Sequence, residues 1–282
     1  MPELPEVETV ARDLRPLLVG STIESLLVGE RRLRNAWLAD WTPLVVGRTI
    51  RELRRRGKWL PMVLDDGSVV AFHLGMTGQM TTHAVADPLA DHVHFRLRLG
   101  SGERELRFRD IRRFGSIAWH ATYAIWEEGL EERLGPEPWD LTTEAFLERL
   151  GKTLRPIKAV LLDQSVVAGV GNIYADESLF LAGMHPTTPG RDVTQSGAER
   201  LRGAIVDVLT RSIAARGSTI RNYVGGSGLA GGHQVSLAVY GRTGEECAKC
   251  GTAVECIRLA GRSTHFCPKC QAMPTGVSRG SR

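Results

Sequence analysis

Pro2-Glu3-Leu4-Pro5-Glu6-Val7-Glu8-Thr9-Val10-Ala11 follows directly on Met1. Pro5 suits the first turn of a helix, where its missing N–H is no loss, and Glu6 and Glu8 complement the positive end of the helix dipole. Val7, Val10, Ala11, Leu14, Leu17 and Leu18 recur at helical spacing, and Gly20 supplies a stop. The spacing predicts an amphipathic helix that buries its apolar face and so fixes the first residues of the chain in space. Pro2 is small enough for Met1 to be trimmed, which would leave a secondary amine at the terminus. An α-amine titrates near 8, against about 10.4 for lysine, so roughly a tenth of it is neutral at pH 7. The neutral form attacks electrophilic carbon. A secondary amine condensing with a sugar aldehyde gives an iminium, positive at any pH and therefore an electron sink. Glu3 stands beside it as an acid or base. On these residues alone, prolines that only stiffen a terminus are the commoner case.

Beyond the helix the chain reads as short strands: Thr22–Val28, Arg48–Arg55, Trp59–Leu64, Val69–His73, Val93–Leu99, Glu105–Phe108 and Ser116–His120. Asp66-Gly67 and Gly100-Ser101-Gly102 punctuate them as turns. Strands in series without intervening helices predict a sandwich or barrel. The character changes at Glu127–Trp139, where Gly135, Pro136 and Pro138 mark a linker. Helices are expected over Thr143–Leu150, over Pro156–Leu162, from a capping Asn172 to about Ala182, and along Ala198–Ile213 to a stop at Gly217. Gly217–Gly232 is glycine-rich and reads as a loop with little to bury.

Cys247-x2-Cys250 and Cys267-x2-Cys270 are separated by sixteen residues, a spacing that brings four thiolates to one tetrahedral zinc. A closed four-thiolate site leaves no open position, so the metal would be structural. Cys256 is left over and is expected to be a buried strand residue. Val254–Leu259 and Ser263–Phe266 predict a hairpin between the knuckles, with Arg262 near its tip as a cation for phosphate; a solvated arginine explains it equally well.

The chain has 282 residues, enough for about two ordinary domains, and 42% apolar residues, enough for real cores. It has no run of 18 apolar residues and no basic stretch leading into an apolar one, so neither a membrane span nor a secretory signal is expected, and a cytoplasmic location follows. Disulfide pairing of the cysteines is then disfavoured. The net charge is only +4, with a pI near 8.9. Its distribution is more telling: Arg31–Lys58 holds nine Lys/Arg against two acids, and Arg96–Arg113 seven against three. Such strands fit a polyanion, or mere solubility. Gly169 and Gly171 ahead of a helix start would let backbone N–H groups meet an anion, with Lys158 near by. Met76 in His73-Leu74-Gly75-Met76-Thr77-Gly78, and Arg112 and Phe114 in Asp110-Ile111-Arg112-Arg113-Phe114-Gly115, sit in turns. Such side chains can wedge into a base stack and fill the gap left by an extruded base. Each taken singly is more often core packing or a solvated charge.

Taken together and in this order, Pro2–Thr9, Arg56-Gly57-Lys58, His73–Gly78, Arg112–Gly115, Gly169-Val170-Gly171-Asn172-Ile173-Tyr174 and the zinc knuckles resemble the bacterial formamidopyrimidine-DNA glycosylases over essentially the whole chain. The resemblance implies an α+β multidomain fold: an N-terminal β-sandwich with its opening helix (residues 1–129), a helix–two-turn–helix domain (130–226) and a C-terminal β-hairpin zinc finger (227–282). It implies a monomer acting on damaged double-stranded DNA, excising oxidised purines and then cutting the abasic strand. Carried over by position, Pro2, Glu3, Lys58 and Arg262 are catalytic and Glu6 supports them. His92, Lys158, Asn172, Met76, Arg112 and Phe114 bind DNA. Ser218, Thr219 and Tyr223 belong to a loop over the lesion, and Cys247, Cys250, Cys267 and Cys270 hold zinc. His233 replaces a phenylalanine found in many relatives. Two rivals stay open: an endonuclease VIII-type enzyme for oxidised pyrimidines, whose chains usually begin Pro-Glu-Gly-Pro-Glu, and a non-catalytic binder of damaged DNA.

Overall fold

The computed structural model describes residues 2–35, 37–100, 102–131, 133–218 and 237–273. They divide into two units, residues 2–131 with 212–218, and residues 133–211 with 237–273.

In the first unit the opening helix α1 (Leu4–Leu18) buries Val7, Val10, Ala11, Leu14 and Leu18. Gly20, at φ +87°, turns the chain back, and its N–H donates to Ile50 O at 2.9 Å, tying the helix end to the next sheet. After β1 (Ile23–Val28) and a one-turn α2 (Thr42–Val45) come β2 (Ile50–Leu53), β3 (Trp59–Leu64), β4 (Val69–His73), β5 (Gly78–Ala84), β6 (Val93–Leu99), β7 (Arg104–Asp110) and β8 (Ser116–His120). They form two antiparallel sheets, β1-β6-β7-β5 and β2-β3-β4-β8. Leu97, Leu106, Met80 and Phe108 from the first, and Leu60, Met62, Val70 and Phe72 from the second, share one core with α1. Phe72 meets Phe95 edge-on, with centroids 5.8 Å apart. Each such side chain contributes roughly 1.5–3 kcal/mol of apolar burial. The expected β-sandwich with a packed helix is present.

Beyond the one-turn α2, two elements differ from the sequence expectation. β5 was not expected, because Gln79-Met80-Thr81-Thr82 offers a single large apolar residue for the core. Helix α3 (Tyr123–Glu131) occupies ground read partly as linker. Gly129 and the paired acids Glu127 and Glu128 hide its pattern, yet Thr122 caps it through Ile125 N–H at 3.2 Å. Trp126 then packs on Val69 and Ala71, covering the outer face of the second sheet.

The second unit contains α4 (Thr143–Gly151), α5 (Ile157–Leu161), α6 (Asn172–Ala182) and most of α7 (Gln195–Ala214), followed by the hairpin β9 (Glu255–Leu259) and β10 (Arg262–Phe266). Thr142 caps α4, its hydroxyl accepting Ala145 N–H. Asn172 does not cap α6 as expected. Gly171 occupies the cap position without a side-chain bond, and Asn172 is the first helical residue, which frees its amide for another partner. Phe146, Leu150, Ile157, Leu161, Tyr174, Leu179, Leu201 and Leu209 are buried.

Candidate active site and nucleic-acid interface

The start of α1 is a closed hydrogen-bonded structure. Glu3 N–H donates to Glu6 Oε2 at 2.8 Å. Glu6 Oε1 accepts Ser218 N–H, also at 2.8 Å. Arg216 and Gly217 are both left-handed, at φ 64° and 74°, and a Cβ on Gly217 would stand 2.9 Å from Glu6 Oε1. The close approach therefore requires glycine. Arg216 is pinned in turn to Asp13 on α1 at 2.7 Å. Pro2 is buried, and Glu3 and Glu6 are each 2% exposed. A terminus that composition alone would leave loose is thus held on both sides by one carboxylate.

Glu8 carries the arrangement to the β2–β3 hairpin. Its Oε2 accepts Arg55 Nε–H at 3.0 Å, and Arg55 also reaches Gly57 O. Gly57 (φ 55°) takes the first central position of the two-residue turn between Arg56 and Trp59, where a positive φ is required. Lys58 takes the second and is 6% exposed. Trp59 pairs with His73 across β3–β4. Burial, then the Lys58 ammonium and the Arg34 guanidinium, pushes His73 down to about 4. Its Nδ1 accepts Gly75 N–H, so the ring is neutral with its proton on Nε2. His73 was not among the predicted site residues; its position next to a glycine turn was the available signal.

The Met76 turn and the Arg112–Phe114 turn lie against each other. A Cβ on Gly75 would come within 2.5 Å of the Phe114 carbonyl carbon. Phe114 is 43% exposed, and the Arg112 guanidinium lies 4.6 Å from its ring centroid. Met76 is half-buried. His92 and Arg113 are left-handed without being glycine, at φ 66° and 56°. Such backbone costs of order 1–3 kcal/mol and survives only where its surroundings enforce it. Asp110, fully buried, is the residue these turns share.

In the second unit Ala260 (φ 47°) and Gly261 (φ 73°) make a two-residue hairpin turn of the type with both residues left-handed. Arg262 opens β10 and is exposed, as a phosphate contact requires. Ser263 O accepts both Lys158 Nζ at 2.7 Å and Asn172 Nδ2 at 3.1 Å. Lys158, expected as a phosphate cation, is buried in the structure. It is 0% exposed, and its ammonium also bonds Thr264 Oγ1 at 2.9 Å and pairs with Asp176 at 2.7 Å. Those partners use its three N–H donors, so it fastens the hairpin to α6. Asp176 further accepts His265 N–H. Glu177 accepts the N–H groups of Ala238, Val239 and Tyr240. Burial raises Glu177, against the pull of those donors. Two acids inside an otherwise apolar α6 were the sequence signal for this anchoring.

The four knuckle cysteines converge, with all Sγ atoms within 4.8 Å of one another; Cys250–Cys267 is 3.5 Å and Cys247–Cys270 3.9 Å. Ligands at about 2.3 Å around a tetrahedral zinc stand about 3.8 Å apart, so the set fits one structural zinc ion. Burial and the neighbouring sulfurs push the Cys270 thiol up, while hydrogen bonds to Thr252 pull Cys250 down. Cys256 is exposed, not buried as expected, because β9 is the outer strand of a hairpin whose β10 faces α6. Thr219, Tyr223 and His233 lie outside the described residues.

Three family models match in order: the formamidopyrimidine-DNA glycosylase N-terminal domain over residues 1–117, the H2TH domain of the same enzymes over 134–224, and the zinc finger found in FPG and IleRS over 244–272. The chain belongs to the formamidopyrimidine-DNA glycosylase family. The Geobacillus kaustophilus formamidopyrimidine-DNA glycosylase is 43% identical over 279 residues, covering 96% of this chain and all of that one. Among solved structures, Lactococcus lactis Fpg bound to DNA containing an abasic site aligns with a TM-score of 0.89 at 36% identity, covering 96% of this chain and all of that one. A MutM complex with DNA containing carbocyclic 8-oxo-G gives the same TM-score, identity and coverage.

Proposed function

We propose that this chain is a base-excision DNA glycosylase with abasic-site lyase activity, acting as a monomer on oxidised purines in duplex DNA. The observation that carries the reading is the buried, doubly anchored N-terminus, since chain ends are ordinarily loose. With Met1 removed, the Pro2 nitrogen attacks C1′. The glycosidic bond breaks, and the base leaves with its electron pair and takes a proton. Glu3 delivers a proton to the ring oxygen as the sugar opens, giving the iminium. The iminium acidifies the C2′ proton; its loss expels the 3′ phosphate, and a second elimination expels the 5′ phosphate. Lys58 contacts the lesion strand, and Arg262 holds phosphate. His92 and Asn172 add contacts to the backbone, which position the strand without reading sequence. Met76, Arg112 and Phe114 fill the stack vacated by the flipped base, and Ser218 begins the loop over it. Zinc supplies folding energy to the hairpin that carries Arg262 and takes no part in the chemistry. We place the domain limits near residues 129 and 226, and the protein with the nucleoid in the cytoplasm; among the described residues no helix is long and apolar enough to cross a membrane.

The test is parallel incubation with 8-oxoguanine:C and thymine-glycol duplexes. Faster excision of 8-oxoguanine, leaving phosphates at both ends of the gap, supports the reading. Preference for thymine glycol would move the chain to the endonuclease VIII type, and binding without excision would make it a damage sensor.

A further inference from the structure

Asp110 is the last residue of β7 and is 0% exposed, and its hydrogen bonds reach three separate segments. Its N–H donates to His92 O at 2.9 Å. Its carbonyl accepts His94 Nε2 at 2.9 Å and Arg113 N–H at 3.3 Å. One carboxylate oxygen accepts the Thr77 hydroxyl and Arg112 N–H; the other accepts Gly115 N–H at 2.7 Å. Thr77 closes the circuit, because its Oγ1 also accepts Arg112 N–H at 3.1 Å. Every polar atom of this one residue is therefore spent on the turns that present Met76, on those that present Arg112 and Phe114, and on the left-handed His92.

We propose that Asp110 is a positioning residue for base extrusion: it locks the two wedge turns and His92 into one rigid unit, so that the wedge enters the stack without first being ordered. The inference rests on the reading of Met76, Arg112 and Phe114 given above. The physical ground is that both turns are short and in part left-handed, at Gly75 in one and at Arg113 in the other, and that the second is exposed at its tip. They keep one arrangement only while a buried acceptor satisfies their N–H groups. A neutral amide cannot do this. In Asp110→Asn one side-chain atom becomes an N–H donor and faces either Gly115 N–H or Arg112 N–H, donor against donor, whichever way the amide turns.

The experiment uses zinc-loaded full-length protein and compares three rates: excision of 8-oxoguanine from duplex, cutting of a preformed abasic site, and the fluorescence rise of a 2-aminopurine stacked beside the lesion. In Asp110→Asn, excision is expected to slow at least thirtyfold and the fluorescence rise at least tenfold, with abasic cutting reduced less than threefold. If Asp110→Asn fails to fold, Thr77 carries the test. Thr77→Val removes the bridging hydroxyl and is expected to slow excision and the fluorescence rise about tenfold, while Thr77→Ser keeps both within twofold. Equal rates in the two Thr77 variants, or an Asp110→Asn that loses excision and abasic cutting in the same proportion, overturn the proposal. Failure of the underlying reading looks different: Met76→Ala with Phe114→Ala would then leave excision and the fluorescence rise at wild-type rates, and the proposal would fall with it.

Discussion

Glu6 accepts one backbone N–H from the residue next to the amine and one from Ser218, across more than two hundred positions of sequence. Glutamine has the same shape but a single acceptor oxygen, so Glu6→Gln turns one of these bonds into a clash of donors. Hydrogen bonds to a charged group are worth about 1.5–3 kcal/mol. Covalent trapping on abasic DNA should therefore slow roughly ten- to hundredfold with zinc content unaltered; a rate within twofold of wild type would show that the anchoring is incidental. His73 gives a prediction in pH. Its imidazole ionises near 6.5 when unfolded and near 4 in the fold, where burial, Lys58 and Arg34 keep it neutral. Between those values the unfolded chain binds more protons. The stability this group contributes is complete above pH 6.5 and is lost as pH falls toward 4. At pH 5.5 the loss is about 1.4 kcal/mol. Urea unfolding at pH 7.5 and 5.5 should show that increment in wild type and not in His73→Gln; the same pH dependence in both would remove His73 as its source.

A buried ion pair, Lys158 with Asp176, fastens the hairpin β9–β10 to helix α6, and Arg262 is exposed at the start of β10. Lys158→Met should destabilise the second unit by about 3–5 kcal/mol, because it leaves Asp176 buried without its cation. It should not change the number of phosphates neutralised, whereas Arg262→Ala should make the log–log salt slope of DNA binding shallower by about 0.9. A shallower slope in Lys158→Met would restore that lysine as a direct contact. Met76→Ala with Phe114→Ala should slow excision of 8-oxoguanine about a hundredfold, a ~2.7 kcal/mol cost at flipping, and abasic cutting far less. A lowered melting temperature with both activities lost equally would mean that these residues are core. Sequence reading reached the helices, most strands and the zinc knuckles because these are written in spacing. It missed β5, whose alternation rests on one methionine, and α3, whose glycine and acids resemble a linker. It placed Lys158 on the surface because charge is legible in a sequence but the partners that neutralise it, Asp176 and Thr264, lie 18 and 106 positions away. Asp110 was visible beside its turn, but nothing local announces bonds to Thr77 and His92.

For the whole molecule, the proposed function gives the chemistry to the N-terminus and the strand-holding to the zinc-bearing unit. Cys267→Ala should lose metal and DNA affinity while the β-sandwich unit still folds, as zinc analysis and a retained unfolding transition would show. Full activity in protein free of zinc would contradict the structural role. The central claim is that the amine at Pro2 is the nucleophile, and borohydride trapping on an abasic duplex tests it most directly. Wild-type protein should give a covalent adduct that peptide mapping assigns to the N-terminal peptide. Protein retaining one extra residue ahead of Pro2, whose nitrogen is then an amide, should bind the duplex with similar affinity and give no adduct. An undiminished adduct from the blocked protein would contradict the account.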